Sequence, residues 1–352
     1  MTESELLSIR LHNQLLISST LTCPAEVVAW LGAMQSQNYE MAKWGIGVRL
    51  PGITNKQVEA AVNTGEIIRT HILRPTWHFV VAQDIHWMLQ LTAPRIKPAF
   101  EGYARMQGVD EKFVRKGMDA LPGLIEQYGH LTRLEIGEHL IRSGININEQ
   151  YSVNYIVSRA ELEGIVCSGE VRENKHTYAL LHQRVPKATY LSKEEALEKL
   201  ARKYFASHGP ATLEDYTWWS GLTKTDARKG IELIKHDFIC EEMGGKSYWM
   251  RNDIQTPSLN KLQFHLLPAF DEFVVSYKYR EEMIDAAYYR KVLTINGLFS
   301  PTIHCNGRIT GSWKRVVKGD KIVAEPSFFD TTPKRKQEIG KRTLAAYEAF
   351  NK

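Results

Sequence analysis

Most of the usual arrangements for attacking a substrate, holding a metal or moving a proton are missing from this 352-residue chain. It has no Gly-rich phosphate loop, no GxSxG turn, no HExxH and no HxE paired with CxxC, which sets aside nucleotide hydrolases, elbow-type serine hydrolases, zinc proteases and zinc deaminases. Cys23, Cys167, Cys240 and Cys305 lie far apart, without metal-ligand spacing, and read as reduced, mostly packed thiols. What remains is Gln35 and Gln37 in Ala33-Met-Gln-Ser-Gln-Asn38, Asp271 between Phe270 and Glu272, and His78 in a strand-like run. Two side-chain carbonyls one residue apart can hold a water and aim negative dipole ends at a developing cation, although an amide cannot remove a proton at neutral pH. Equally, amides at the end of an apolar helix satisfy loose backbone carbonyls. Asp271, on an expected strand, reads equally as an ion-pair partner, and His78 as a core residue of its hairpin.

The elements that must position these groups repeat. Tyr128-Gly-His-Leu-Thr-Arg-Leu-Glu-Ile136 and His208-Gly-Pro-Ala-Thr-Leu-Glu-Asp-Tyr216 each join a Gly turn to a helix capped by Thr132 or Thr212, with acids in the first turn. A second helix follows in each copy, with apolar spacing through Tyr155, Ile156 and Leu162, or Ala227, Ile231 and Ile234. Two short strands then close each copy around Glu173-Asn174-Lys175 or Gly244-Gly245-Lys246. Helices followed by a hairpin with a basic tip describe a winged helix. A third copy is expected at the N-terminus, from helices at Glu5–Leu16, Pro24–Met34 and Asn55–Asn63 and a hairpin turning at Arg74-Pro75. Connecting helices interrupted by Pro94 and Pro98 are expected over Ala82–Gln127. Leu262–Tyr277 and Gly297–Lys314 read as strands, with Asn306-Gly307 the strongest hairpin signal, before a terminal helix Lys334–Phe350 that starts strongly basic.

The expected fold is mainly α with a small β content. Its segments are winged helix 1 over 1–82, a helical connector over 83–127, winged helix 2 over 128–190, winged helix 3 over 191–255, and a β-rich C-terminal region over 256–352. A composition of 43% hydrophobic residues supports several cores, and no run of eighteen apolar residues occurs. The net charge of +5 is too small to identify a nucleic-acid binder by itself.

The Gln-Ser-Gln segment resembles the paired-glutamine motif of the AlkZ/YcaQ-like DNA glycosylases. The likeness continues through Leu73-Arg-Pro-Thr-Trp-His-Phe-Val80, Gly209-Pro-Ala-Thr-Leu-Glu-Asp-Tyr216, Leu266-Leu-Pro-Ala-Phe-Asp-Glu-Phe273 and Phe299-Ser-Pro-Thr-Ile-His-Cys-Asn-Gly307. The resemblance implies a monofunctional enzyme that excises alkylated, cationic bases from duplex DNA and unhooks interstrand crosslinks. Gln35 and Gln37 would be its catalytic pair, and no metal or organic cofactor is implied. Ser36 departs from the apolar spacer of the motif. His78, if its hairpin abuts the glutamines, and Asp271 or Glu272, as a source of a carboxylate, are candidate pocket residues.

Phosphate contacts are expected from Arg49, Arg133, Arg159, Lys175, Lys224, Arg228, Lys229, Lys246, His304, Arg308, Lys314 and Arg315, on helices and wing tips of a concave basic surface. Trp77, Trp218 and Trp219 read as packing residues. A cytoplasmic, nucleoid-associated monomer is the expected context, and a winged-helix regulator without catalysis is the competing one.

Overall fold

The computed structural model describes residues 1–145, 150–188, 190–254, 256–257, 262–330 and 334–352; for 150, 151 and 334–340 it describes the backbone alone. About half of the protein is helical and one-fifth is strand. Two compact units alternate along the chain, one comprising 1–58, 197–219 and 223–352, the other 59–196 and 220–222.

The first unit holds Gln35 and Gln37. Its opening helix, Glu3–Asn13, starts at a Thr2/Glu5 capping box, and the next, Pro24–Leu31, begins at proline, whose missing N–H costs nothing there. Gly32, at φ +80°, turns the chain into the strand Met34–Gln35, and Asn38 then caps the helix Tyr39–Gly47 by accepting the Met41 N–H. The motif therefore lies between two helices, and the expectation that Pro24 starts a helix continuing to Met34 is corrected by the glycine.

Four antiparallel strands form the larger sheet of this unit, in the order Lys321–Phe328, Arg308–Lys318, Thr302–Cys305, Phe264–Leu267. Asn306 and Gly307, both at positive φ, make the tight turn their sequence announces. Trp44 and Trp313 donate their indole N–H groups to the carbonyls of Leu266 and Leu267. Tyr347, on the terminal helix Lys334–Phe350, packs edge-on against both tryptophans. These contacts fasten the helix that follows the motif to the strand that precedes Asp271. The expected strand Leu262–Tyr277 is only Phe264–Leu267; Phe270 at φ +60° ends it, and Asp271 caps the short helix Glu272–Val275.

In the second unit the hairpin Ile67–His71/Trp77–Val81 precedes a helix, Ala82–Met106, that runs unbroken through Pro94 and Pro98. This corrects the expected interruption. Both prolines lie on the exposed face, where water can take the carbonyls they leave unpaired, while Ile85, Trp87, Met88, Ala93 and Ile96 bury the other face. The helices Glu111–Tyr128, Arg133–Arg142 and Gln150–Leu162 enclose a core of Val114, Leu121, Ile136, Leu140, Ile156 and Ala160. A three-stranded sheet, in the order Leu131–Thr132, Thr177–Leu180, Val166–Ser168, completes that core.

Both expected helix starts are present. Thr132 forms a capping box with Glu135, and Thr212 and Asp215 exchange the same pair of hydrogen bonds. In both places the residue before the cap pairs with the second hairpin strand, Leu131 with Tyr178 and Ala211 with Trp249. No helix among the described residues is long and apolar enough to cross a membrane.

Candidate active site

Gln35 is buried, at 8% exposure, while Gln37 is exposed. Ser36, between them, is fully buried, so the motif points its spacer into packing and its second amide outward. The strand ends at Gln35, and Gln37 follows in a bend that leads into the next helix.

Glu272 lies beneath Gln35. Its Oε1 accepts the Gln35 main-chain N–H at 2.6 Å, and its Oε2 accepts the Trp219 indole N–H at 3.1 Å and the Ser276 hydroxyl. The His208 Nε2 stands 3.7 Å from Oε2. Burial opposes ionisation of Glu272, but the His208 ring, the Ser276 hydroxyl and the Gln35 amide outweigh it and bring the carboxyl down to about 2. Burial holds His208 below the ordinary histidine value, against the opposite pull of Glu272.

Asp271 belongs to the same buried cluster through Arg49. The Arg49 Nη1 and Nη2 donate to Asp271 Oδ2 and Oδ1, each at 2.8 Å. The other Arg49 donors reach the carbonyls of Gln14 and Gly45 and the Gln14 side chain. Gln14 donates to the Tyr277 hydroxyl, which donates to the His208 carbonyl. A hydrogen-bonded network therefore runs from Asp271 through Arg49, Gln14 and Tyr277 to the His208 carbonyl, and the His208 ring stands beside Glu272.

Several expected phosphate contacts are corrected by burial or pairing. Arg49 and His304 are fully buried, the first engaged with Asp271 and the second beside the Thr302 hydroxyl, so neither can reach a phosphate. Arg159 is enclosed by Glu101 at 2.6 Å, Glu163 at 3.0 Å and Glu111 at 3.8 Å, which cancel its charge. Its helix, expected to present a basic face, is mostly buried. Arg133 and Arg315 are half-buried, and Arg308 is exposed and paired with Glu3. Lys175, Arg228, Lys229 and Lys314 face solvent, as does Lys224 while paired with Glu214.

Arg228 and Lys246 meet across a cleft of about 600 Å³ between the helix Lys224–Ile234 and the hairpin Phe238–Met243/Lys246–Arg251, with Lys235 and Tyr279 also on its wall. Lys246 pairs with Glu281 and lies over the Tyr279 ring. Cys240, expected among packed thiols, is exposed on this cleft. His78 is buried within its hairpin, its Nδ1–H donated to the Thr76 carbonyl at 2.9 Å. Trp219 is buried as expected, but Trp218 is 44% exposed. The basic start of the terminal helix lies outside the described side chains.

A family model described as DNA glycosylase AlkZ-like matches residues 28–350. The chain belongs to this family. It is thus a DNA glycosylase, an enzyme acting on N-glycosidic bonds. A curated relative, the interstrand DNA cross-link repair glycosylase of Streptomyces sahachiroi, is 23% identical over 342 residues, 92% of this chain and 89% of the relative. The solved structure of Streptomyces sahachiroi DNA glycosylase AlkZ superposes with a TM-score of 0.82 at 19% identity, over 99% of this chain and 96% of the other.

In this AlkZ-like chain, sequence reasoning missed Glu272, His208 and the Arg49–Asp271 pair as members of one cluster. The available signal was two adjacent acids in an otherwise apolar run, Leu266-Leu-Pro-Ala-Phe-Asp-Glu-Phe273, since ionised groups in such surroundings require partners.

Proposed function

We propose that this protein excises alkylated, cationic bases from duplex DNA by hydrolysing the N-glycosidic bond, leaving an abasic site, with Gln35 and Gln37 as the catalytic pair. The observation that carries this reading is the anchoring of Gln35 through its backbone to a buried anion while Gln37 reaches solvent. The C1′–N bond breaks with its electron pair leaving on the base, whose positive charge that pair neutralises. A water held by the two side-chain carbonyls then adds to C1′ and releases its proton to solvent. No strong general acid is needed for a base that is already cationic. Oriented amide dipoles favour the oxocarbenium-like sugar at no reorganisation cost. The name of the Streptomyces relative, an interstrand DNA cross-link repair glycosylase, supports crosslinks as a further substrate.

The helix-and-hairpin segments, with a third short strand over Leu131–Thr132 in one copy and a single Ala211–Trp249 bridge in the other, support winged-helix modules over 1–82, 128–190 and 191–255, joined by the 83–127 connector and followed by the 256–352 region. Lys175, Lys224, Arg228, Lys229, Lys246 and Lys314, with the half-buried Arg133 and Arg315 and the exposed Arg308, are the cations proposed to meet phosphates. Action as a monomer in the cytoplasm, on the nucleoid, is part of the same reading.

The test incubates the protein with duplexes carrying 7-methylguanine or a nitrogen-mustard crosslink and scores alkali-labile abasic sites. Gln35→Ala combined with Gln37→Ala should abolish excision while duplex affinity stays within about twofold, because neither amide contributes a cation to phosphate binding. Excision that survives the double substitution removes the mechanism.

A further inference from the structure

Glu272 is ionised in a place where ionisation is expensive. Its side chain is 1% exposed, and taking a carboxylate out of water costs several kcal/mol even after relaxation. A packing role alone would be met more cheaply by an apolar residue. Asp271 is neutralised by its bidentate pair with Arg49. The His208 ring stands 3.7 Å from Glu272 Oε2. Glu272 is a buried carboxylate held by three hydrogen-bond donors, one of them the backbone of the motif itself.

Two physical effects follow from that bond. The 2.6 Å contact from the Gln35 N–H fixes the peptide plane entering Gln35, and with it the direction in which the side chain leaves the backbone. A fixed charge in a dry interior also acts on a nearby developing cation with far less screening than it would meet in water. The Trp219 and Ser276 donors hold the opposite carboxylate oxygen, so the group cannot swing away to solvate itself.

We propose that Glu272 is a positioning residue for base excision, clamping the main chain of Gln35 and lending a fixed negative charge to a motif made only of neutral amides. This rests on the proposed catalytic role of Gln35 and Gln37. Glu272 touches neither base nor sugar in this scheme and acts through Gln35.

The experiment measures single-turnover excision of 7-methylguanine from a duplex by the full-length protein, duplex affinity by fluorescence anisotropy, and thermal melting. The variants are Glu272→Gln, Ser276→Ala, Gln35→Ala and the Glu272→Gln/Gln35→Ala pair. Glu272→Gln keeps the shape and loses the charge. It should slow the saturated rate about 10–100-fold with duplex affinity within about twofold, as expected for an interaction that matters mainly in the transition state. On the Gln35→Ala background the same change should cost much less, because residues acting through one another are not additive.

A wild-type rate for Glu272→Gln overturns the proposal, as does a rate loss matched by an equal loss of binding or one fully additive with Gln35→Ala. If Glu272→Gln does not fold, Ser276→Ala decides. It removes one hydroxyl donor, should fold with a moderately lowered melting temperature and should slow excision several-fold, and an unchanged rate sinks the proposal. Activity persisting in Gln35→Ala/Gln37→Ala refutes the catalytic pair instead, whereas activity lost there but untouched in Glu272→Gln refutes only the clamp.

Discussion

Replacing Arg49 with methionine separates a structural cation from a phosphate-binding one. Arg49 is fully buried and donates five hydrogen bonds, two of them to Asp271, which is itself 3% exposed. Methionine fills similar volume but leaves the Asp271 carboxylate buried with only the Phe273 N–H still donated to it among these bonds. Breaking a buried pair by removing one partner costs about 3–5 kcal/mol. At about 2–4 °C per kcal/mol for units of 150–250 residues, the melting temperature should fall by roughly 10 °C. Urea unfolding at pH 7.5 and calorimetry measure that loss. Adding Asp271→Asn should restore more than about 1 kcal/mol, since the stranded charge goes and the cap acceptor stays. Duplex affinity titrated against salt supplies the opposite arm. A phosphate contact at Arg49 would lower the log–log salt slope by about 0.9 and leave stability unchanged. That outcome, or additive destabilisation by Asp271→Asn, would refute the assignment of Arg49 to the interior.

Arg228→Ala should behave the other way, lowering the salt slope by about one with melting and saturated excision rate unchanged; anisotropy titrations from low to high salt read it. Burial pushes His265 down to about 4 and His304 down to about 3. The unfolded chain takes up protons at both sites below about pH 6.5 while the folded one does not, so stability should be full above that pH and fall towards pH 4 and 3. Urea melts across pH 7.5 to 4 check the slope, and a flat profile down to pH 5 contradicts the burial. Gly311→Ala should cost about 1–3 kcal/mol, because a Cβ there would sit 2.5 Å from the Ser327 carbonyl oxygen across the strand pair. Gly123→Ala, on an exposed helical face with open space around it, should gain about 0.5–1 kcal/mol. Thermal melts of the two variants should move in opposite directions.

Local chemistry was readable in the sequence wherever it decided structure locally. The Asn306-Gly307 and Gly244-Gly245 turns adopt the positive φ their residues permit, and Thr132 and Thr212 cap the helices they precede. Long-range pairing was not readable. Arg49 and Asp271 are 222 positions apart and Gln35 and Glu272 are 237 apart, so residue type alone suggested a phosphate-binding arginine and, for Asp271, an ion pair whose cation it could not name. Pro94 and Pro98 misled for a related reason, since whether a proline breaks a helix depends on which face its orphaned carbonyl meets, and tertiary burial determines that face. Within the candidate site, Gln35 and Gln37 were singled out through the family resemblance, but the hydrogen bond from the Gln35 N–H to Glu272 was not foreseen.

The two glycine turns share their backbone chemistry and differ in their neighbours. A Cβ at Gly307 would lie 3.1 Å from the Leu7 Cβ and 3.5 Å from the Phe273 ring, whereas nothing stands within 4 Å of one at Gly244 or Gly245. One hairpin bend is thus a wedge seated in the protein body, and the other is a free fingertip. A reporter dye or affinity handle spliced at the fingertip should leave the enzyme whole and sense the approach of DNA, while the same insertion at the seated bend would lever the first helix off its bed.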